Sequence, residues 1–396
     1  MVATPRAELE TLLSDDPTAV RAWERREFDR LSAGREIVLM GAGGLGRRAL
    51  DGLRKHGVEP LAFADNGKQG GTVEGVRVLS PDAAAREFRT RAAFVVTIWG
   101  ANSPHRFAHS REQLRALGCD VVCPFPPLFW KYADPLLPFY LQDLPSRVVE
   151  ERADVLRAFD LWGDDASRAE YVEQVRFRVK ADFDGLSHPV AHPQYFPPDL
   201  FSWSDDEWIV DGGAYDGDTV RTLSELHGDR FGHLLGLEPD PANFSKLQAT
   251  VGAFPQSMRA RIDVRQVALA AERSTLHLEA TGTAASATTT AASAGTVAVA
   301  AETLDALVAP AAPTLIKLDI EGFEIDALEG ARATIARHAP IVAVCVYHRQ
   351  NHLWRIPLLL RGWRDDYAFF LRPHNEEGWD LVCYAVPRMR LRSEAR

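Results

Sequence analysis

The sequence is poor in cysteine and has no excess of positive charge, and each shortage excludes a class of protein. Its 396 residues include four cysteines, and 45 Lys and Arg stand against 55 Asp and Glu, for a formal net charge of −10. Four scattered cysteines do not form a disulfide framework. A protein that binds a nucleic-acid duplex needs a basic face. We therefore expect no nucleic-acid partner.

Long apolar runs are also missing. No stretch approaches the ~20 residues that span a bilayer, and Met1 to Pro17 lack an apolar signal segment. We expect no membrane span and a cytoplasmic protein. The composition is globular, with 46% hydrophobic and 25% charged residues, and the length suffices for two or three domains.

The order of patterns predicts an α/β protein with two Rossmann-like domains joined by a helical connector. Helical spacing predicts an N-terminal helical segment over residues 1–34, and a strand, a glycine turn and a helix open a first Rossmann-like domain over 35–130. Residues 131–200 read mostly as helix, and 201–390 as a second α/β domain. The strands predicted for that domain are 209–210, 234–237, 262–267, 315–320, 341–347, 367–371 and 381–386, the last two forming an antiparallel hairpin.

The second domain opens with a glycine-rich turn between two strands. The strand Trp208-Ile209-Val210 leads into Asp211-Gly212-Gly213-Ala214-Tyr215-Asp216-Gly217-Asp218-Thr219, and the next strand ends at Glu238. This is the first half of a nucleoside-binding βαβ unit, with Glu238 placed to accept the ribose hydroxyls. Acids stand where a pyrophosphate would lie, which favours a cationic, phosphate-free cofactor such as S-adenosylmethionine. The alternative is a glycine-rich turn without a ligand.

A second strand ends in charged residues. In Leu315-Ile316-Lys317-Leu318-Asp319-Ile320-Glu321-Gly322, alternation along a strand would place Lys317, Asp319 and Glu321 on one side. Charges at the carboxyl end of a buried strand are costly unless they pair or function, and open α/β sheets bind ligands at that end. The alternative is a structural Lys317–Asp319 ion pair, with Glu321 capping the next helix.

A third strand, Val344-Cys345-Val346-Tyr347, ends at His348, which is expected to face Asp319 and Glu321. In a methyl transfer the enzyme aligns the acceptor and removes its proton, and histidine suits that step. His348, Asp319 and Glu321 are therefore the candidate catalytic residues, with His348 as the base. The same three are the candidate ligands if a divalent cation is bound. A solvated histidine at a strand end is the alternative.

The first domain carries its own glycine motif. Gly41-Ala42-Gly43-Gly44-Leu45-Gly46 matches G-x-G-x-x-G, with Asp65 about twenty residues further on. NAD, a nucleotide or nucleotide sugar at Gly41–Asp65, and a purely structural fold all stay open. A further segment, from Ala280 to Ala301, is almost wholly Ala, Thr, Ser and Gly, which indicates either a flap over the site or a linker.

From Trp208 to Val386 the chain resembles the FkbM family of methyltransferases. The matching blocks are Val210-Asp211-Gly212-Gly213-Ala214-Tyr215-Asp216-Gly217-Asp218-Thr219, Glu238-Pro239-Asp240-Pro241-Ala242-Asn243, Thr303-Leu304-Asp305, Ile316-Lys317-Leu318-Asp319-Ile320-Glu321-Gly322 and Tyr347-His348. The resemblance implies a class I methyltransferase sheet of seven strands, S-adenosylmethionine as methyl donor, and O-methylation of a sugar or natural-product hydroxyl. The residues expected to contact the cofactor are Asp211, Gly212, Gly213, Ala214, Tyr215, Gly217, Thr219, Glu238, Asn243, Ala268 and Asp319.

The front half is similar to the Rossmann-like domain at the start of some sugar acyltransferases and sugar-modifying methyltransferases. The sequence as a whole predicts an S-adenosylmethionine-dependent O-methyltransferase that acts on a small-molecule or glycan acceptor. Two alternatives remain: a non-catalytic nucleotide-sugar binding protein, and an NAD-dependent sugar oxidoreductase working through Gly41–Asp65. The second would need a hydride-site pair such as Tyr-x-x-x-Lys in the first domain, and the sequence has none there.

Overall fold

A computed structural model describes residues 4–101, 105–278, 288–289 and 296–392. It contains a six-stranded sheet, a seven-stranded sheet and a smaller four-stranded sheet, with helices between the strands. The predicted α/β class is confirmed. No helix in these ranges combines the length and apolarity needed to cross a lipid bilayer.

Two capped helices come first. They are α1 (Pro5–Leu12) and α2 (Pro17–Ser32). Each begins with proline, and each is preceded by a side chain that accepts backbone N–H groups, Thr4 for α1 and Asp16 for α2. The buried Glu24 on α2 accepts hydrogen bonds from Ser146 N and Oγ, which ties these helices to the connector.

The first sheet is mostly parallel. Its strands are β1 (Glu36–Met40), β2 (Ala62–Ala64), β3 (Thr72–Val73), β4 (Val76–Leu79), β5 (Ala92–Val96) and β6 (Val122–Pro124), in the order β3-β4-β2-β1-β5-β6. Its helices are α3 (Gly44–Lys55), α4 (Pro81–Phe88) and α5 (Phe107–Ala116). A side chain at Gly46 would place its Cβ 2.0 Å from Gly41 O, so this glycine allows α3 to pack closely on β1.

The first domain ends in α6 (Pro126–Lys131), and the connector that follows is mostly helical up to Lys180. It contains α7 (Ala133–Leu136), α8 (Pro145–Glu150), α9 (Arg152–Phe159) and α10 (Asp165–Lys180). Residues 181–207 then form an irregular passage that includes four prolines, as their missing N–H groups predict. This passage carries Tyr195 towards the second sheet, where its backbone N–H donates to Tyr384 Oη at 3.0 Å.

The strands after the connector form two sheets. They are β7 (Trp208–Gly212), β8 (His233–Leu237), β9 (Ile262–Arg265), β10 (Ala268–Leu269), β11 (Ser274–Leu278), β12 (Thr288–Thr289), β13 (Val297–Glu302), β14 (Leu315–Leu318), β15 (Ile341–Cys345), β16 (Tyr367–Pro373) and β17 (Leu381–Pro387). The large sheet has the order β16-β17-β15-β14-β7-β8-β9, and the small one β10-β13-β11-β12. β17 is antiparallel to both of its neighbours, and the other pairs of the large sheet are parallel.

Helices connect these strands along the chain. They are α11 (Asp218–His227), α12 (Pro241–Gly252), α13 (Gln256–Arg259), α14 (Leu304–Val308), α15 (Glu324–Glu329), α16 (Arg332–His338) and α17 (His352–Trp363). Two short 3-10 helices, Glu376–Gly378 and Arg388–Arg390, lie near the end. The strands β7, β14, β15 and β17 at the middle of the large sheet are almost completely buried and form its core.

The seven strands of the second domain and the closing hairpin of β16 and β17 are present, but three strands end earlier than predicted, β9 at Arg265, β14 at Leu318 and β15 at Cys345. β14 ends at Leu318, and Glu321 has a φ of +55°, so strand alternation does not continue to Glu321. The single charged face expected for Lys317, Asp319 and Glu321 is therefore wrong. Most of the Ala280–Ala301 segment, predicted as a flap or linker, lies outside the described residues; Thr288–Thr289 and residues 296–301 are described.

Replacing Gly213 with alanine should destabilise the second sheet strongly. An added Cβ would lie 1.8 Å from Asp319 O, and Gly213 has a φ of +77°. We expect the free energy of unfolding to fall by about 3 kcal/mol in urea denaturation. Gly252→Ala is the matched control, because a Cβ added at Gly252 would have no described atom within 4 Å. Equal stabilities for the two variants would contradict this packing.

Candidate active site

A cavity of about 640 Å³ lies at the carboxyl ends of the central strands of the large sheet. Open α/β sheets bind ligands at this position, and the volume suits a drug-sized molecule. Segments that are far apart in the sequence form the wall of this cavity. Its wall contains Gly44, Leu45, Trp99, Phe139, Tyr140, Tyr195, Gly213, Tyr215, Asp218, Glu238, Asn243, Ala268, Asp319, Glu321, Tyr347, Trp379 and Asp380 among others.

One end of the cavity, here the Glu238 end, is formed by Gly213, Tyr215, Glu238, Asn243 and Ala268. The Glu238 carboxylate accepts the Tyr215 N–H at 2.9 Å through Oε2 and the Asp240 N–H at 2.8 Å through Oε1. These bonds hold the carboxylate at the end of β8, and burial raises the pKa of Glu238 to about 7.

Among the residues expected to contact a cofactor, the structure separates two groups. Gly213, Tyr215, Glu238, Asn243, Ala268 and Asp319 line the cavity. The others are not part of its wall; they are Asp211, Gly212, Ala214, Gly217 and Thr219. The turn acids differ in the same way, since Asp218 lines the cavity whereas Asp216 forms an ion pair with Arg221 at 2.6 Å.

Behind the glycine turn lies a buried ion pair between Asp211 and Lys317. These residues are register partners on β7 and β14, both are almost inaccessible to solvent, and Lys317 Nζ is 2.9 Å from Asp211 Oδ1. Lys317 Nζ also donates to Gly213 O at 2.6 Å. Burial disfavours the ammonium, yet the surrounding carboxylates, led by that of Asp211, raise the pKa of Lys317 overall. The alternative Lys317–Asp319 pair is therefore not the one that forms.

The opposite end, here the Asp319 end, is formed by Tyr140, Asp319, Glu321, Tyr347, Trp379 and Asp380. Asp319 Oδ2 accepts a hydrogen bond from Tyr195 Oη at 2.8 Å. Burial, together with the neighbouring carboxylates, raises the pKa of Glu321 to about 7, although His348 acts in the opposite direction. Glu321 is thus a carboxyl group in the cavity wall that titrates near neutral pH.

His348 lies beside this end but is not part of the wall. Its Nδ1 is 2.7 Å from Glu324 Oε1, and its Nε2 is 3.4 Å from Asp319 Oδ1 and 3.8 Å from Glu321 Oε2. Burial lowers the pKa of His348, but these carboxylates, led by Glu324, outweigh it and raise the pKa to about 9. The imidazole is therefore a buried cation at neutral pH, held among three carboxylates.

Glu324 is a residue that sequence reasoning missed. Its Oε1 accepts the N–H groups of Ile320 and Gly322 at 3.0 and 3.2 Å, and its Oε2 is 3.0 Å from His352 Nδ1. Glu324 thereby ties the loop after β14 to the first residue of α15, and Glu321, which the sequence alternative made the cap of this helix, lies in the cavity wall instead. An acid at the start of a helix after a glycine turn was the available signal.

Aromatic residues from four segments complete the Asp319 end. The Trp379 ring lies 4.4 Å from that of Trp99, 4.7 Å from that of Tyr140 and 5.6 Å from that of Tyr347. Asp380 follows Trp379 and accepts a hydrogen bond from Asn375 Nδ2 at 3.0 Å. Of these aromatic residues, only Tyr347 was predicted from the sequence to lie near the site. Trp99 belongs to the first domain, Tyr140 to the connector, and Trp379 to a turn that the sequence predicted only as a polar hairpin connection.

Asp319, Glu321 and His348 are also the candidate ligands of a divalent cation. Within the described ranges, no group of three or more His, Cys, Asp or Glu side chains is arranged to hold a metal ion.

The first glycine motif reaches the same cavity through Gly44 and Leu45. Asp65, the acid expected to contact a ribose, does not line the cavity. Its Oδ2 accepts the Ala42 N–H at 2.8 Å, and its Oδ1 accepts those of Gly67 and Lys68, both at 2.8 Å. Asp65 therefore joins the ends of β1 and β2 in this structure.

Comparison with known proteins agrees with this geometry. Residues 211–371 match the family model described as the methyltransferase FkbM domain. The crystal structure of methyltransferase FkbM from Methylobacillus flagellatus KT is similar over 96% of this chain and 100% of that chain, with a TM-score of 0.78 and 21% identity. This likeness shows a shared fold over nearly the whole chain. No curated protein sequence matches significantly.

Two other solved structures match less well. A putative rRNA-methylase from Clostridium thermocellum covers 47% of this chain and 89% of its own, with 10% identity and a TM-score of 0.31. The fibrillarin pre-rRNA processing protein of Methanococcus jannaschii covers 48% of this chain and 70% of its own, with 10% identity and a TM-score of 0.29. Scores this low support no conclusion about function.

Replacing Lys317 with methionine should leave the Asp211 carboxylate buried without a partner. We expect a loss of about 3–5 kcal/mol in the free energy of unfolding, measured by urea denaturation. The double variant Asp211→Leu/Lys317→Met should recover at least half of that loss. Arg265→Met removes a partner from the exposed Asp263–Arg265 pair and should cost less than about 1 kcal/mol. A double variant as unstable as Lys317→Met would contradict the pairing.

Proposed function

We propose that this protein is a methyltransferase that uses S-adenosylmethionine to methylate a hydroxyl group of a sugar or natural product. The match of residues 211–371 to the FkbM methyltransferase domain model supports the reaction class. The observation that carries this proposal is the acid-lined cavity at the carboxyl ends of β7, β8 and β14. One end of the cavity suits the donor, and the other the acceptor.

The Glu238 end suits the donor. The Glu238 carboxylate keeps lone pairs free for ribose hydroxyls after accepting its two backbone N–H groups. Ala268 lies between the apolar Val267 and Leu269 in the wall, where an adenine ring would be received. The ligand carries a sulfonium and an ammonium against one carboxylate, so its net charge is positive. Asp218 and Asp319 supply negative charge in the same wall.

Methyl transfer is an in-line displacement. The acceptor oxygen forms a bond to the methyl carbon while the carbon–sulfur bond breaks, and S-adenosylhomocysteine leaves with the electron pair. The hydroxyl proton must pass to a base in the cavity. We assign this role to Glu321, which lines the wall and has a pKa of about 7. The proposal thereby moves the base from His348, the residue that sequence reasoning favoured.

His348 and Asp319 keep other roles in this mechanism. The His348 imidazolium lies within 3.8 Å of the Asp319 and Glu321 carboxylates and holds them in place. Asp319, fixed by Tyr195, faces the cavity where the acceptor and the donor meet. The roles of the donor contacts Asp211, Gly212, Ala214, Gly217 and Thr219 are then indirect, since these residues shape the turn from behind the wall.

The two alternative functions have less support. A pyrophosphate ligand, whether NAD or a nucleotide sugar, would enter a cavity whose wall carries carboxylates but no Lys, Arg or His among the described residues. Asp65 is already bonded to three backbone N–H groups.

Glu238→Gln should weaken binding of S-adenosylmethionine about 10- to 100-fold in calorimetric titration, because the charged acceptor of the ribose hydroxyls is lost. Glu329→Gln, on the exposed face of α15, makes the same chemical change away from the cavity and should bind like the wild type. If both variants bind equally well, the donor does not lie at the Glu238 end.

The pH dependence of turnover should identify the base. A base must be deprotonated to act, so kcat/KM should be low below its pKa and rise as pH passes through it. With Glu321 as base the rise falls near pH 7, whereas His348 would place it near pH 9. The measurement uses an acceptor found by screening sugars with labelled S-adenosylmethionine.

Glu321→Gln should lower kcat about 100-fold and abolish the rise near pH 7, while donor affinity stays unchanged. A rise near pH 9 in the wild type, or normal turnover in Glu321→Gln, would remove Glu321 from the role of base.

A further inference from the structure

The cavity wall has an unusual charge pattern. It contains five acids, Asp218, Glu238, Asp319, Glu321 and Asp380, and no Lys, Arg or His among the described residues. The internal segments outside the described ranges, 102–104, 279–287 and 290–295, also have none of these three residue types in their sequence. The wall is therefore a purely acidic surface.

The two cations closest to these acids are already balanced from behind. Lys317 Nζ lies 2.9 Å from the buried Asp211, and His348 Nδ1 lies 2.7 Å from the buried Glu324. Each cation thus has its own carboxylate that does not line the cavity. The acids of the wall have no cationic partner among the lining residues, and a donor with a net charge near +1 offsets only part of their negative charge.

Asp380 is the acid of the wall that the methyl-transfer mechanism does not use. It follows Trp379 in the turn between β16 and β17, and its carboxylate is fixed by Asn375 Nδ2 at 3.0 Å. Burial and the Asp319 charge raise the pKa of Asp380, so a cation brought near it would be stabilised.

Aromatic faces surround the same end of the cavity. Trp379 is 7% exposed, and the rings of Trp99, Tyr140 and Tyr347 lie 4.4–5.6 Å from its own. The Trp379 Nε1 is buried without a hydrogen-bond acceptor in the described part of the chain. Aromatic faces beside carboxylates attract ammonium groups.

We propose that the acceptor is a hydroxylated molecule that carries a positively charged amino group, an amino sugar in chemical class, and that Asp380 with Trp379 and Tyr140 selects the ammonium. This rests on the proposed function, because it assigns the Asp319 end of the cavity to the acceptor. Phosphorylated sugars are excluded by the same wall, since a phosphate would meet carboxylates and no basic side chain.

Three matched sugars test the proposal by calorimetry on the full chain saturated with S-adenosylhomocysteine. They are glucosamine, at a pH where its amine is protonated, glucose, and glucose 6-phosphate. We expect glucosamine to bind about tenfold or more tightly than glucose, and glucose 6-phosphate not to bind. Glucose binding as tightly as glucosamine, a preference for the phosphate, or no binding of glucosamine would each overturn the proposal.

Asp380→Asn should reduce the preference for glucosamine over glucose to near one. The matched control is Asp165→Asn, which removes the same charge from a fully exposed side chain on α10 and should keep the preference. An unchanged preference in Asp380→Asn would remove Asp380 from the selection. If S-adenosylhomocysteine itself does not bind, the proposed function is wrong. If S-adenosylhomocysteine binds but the protein does not prefer glucosamine over glucose, only the amino-sugar proposal is wrong.

Discussion

The close approach of β7 and β14 at their carboxyl ends is the constraint on which the site depends. Gly213 lies against Asp319 O so closely that no side chain fits, and beneath this contact Lys317 joins the Asp211 carboxylate to the Gly213 carbonyl. The glycine turn and the acidic loop after β14 thereby have a fixed relative position. Glu238 at one end of the cavity and Asp319 at the other are placed by this junction.

The electrostatics of the site form two layers. Behind the wall, the buried cations Lys317 and His348 are each paired with a carboxylate, Asp211 and Glu324 respectively. In the wall itself the acids have no cationic neighbour among the lining residues. Breaking a buried ion pair of this kind is costly, but the pair adds little net stability, so its main effect is to hold the two side chains in fixed positions. The inner layer therefore fixes the geometry, and the outer layer is left with the negative charge that a cationic ligand would meet.

Local patterns predicted much of this arrangement. The strand–turn–helix pattern around Gly213 and the acid at the end of the next strand placed both in one cavity, because such signals depend only on neighbours in sequence. The seven strands and the closing hairpin followed from alternation and turn residues, and the α/β class is confirmed. Partners set by tertiary structure were not predictable. The register of β7 against β14 decides that Lys317 pairs with Asp211 rather than Asp319.

The Asp319 end of the cavity shows even more clearly that contacts set by tertiary structure could not be predicted from the sequence. β14 stops at Leu318 and the loop bends at Glu321 through a φ of +55°, so Glu321 enters the cavity wall while Glu324 accepts the Ile320 and Gly322 N–H groups of that loop. Tyr140, Tyr195 and Trp99 reach the cavity from the connector and the first domain, and no periodicity in their own segments signals that position. Burial among carboxylates, which raises the pKa of His348 to about 9, is likewise a property of the assembled fold.

The central claim is that this cavity is built for a cationic, phosphate-free ligand. The most direct measurement is a thermal-unfolding comparison of the protein with S-adenosylmethionine, NAD and UDP-glucose at equal concentrations. We expect S-adenosylmethionine to raise the Tm, since a ligand that binds only the folded state stabilises it, and NAD and UDP-glucose to leave the Tm unchanged. A Tm raised by NAD or UDP-glucose and not by S-adenosylmethionine would contradict the central claim.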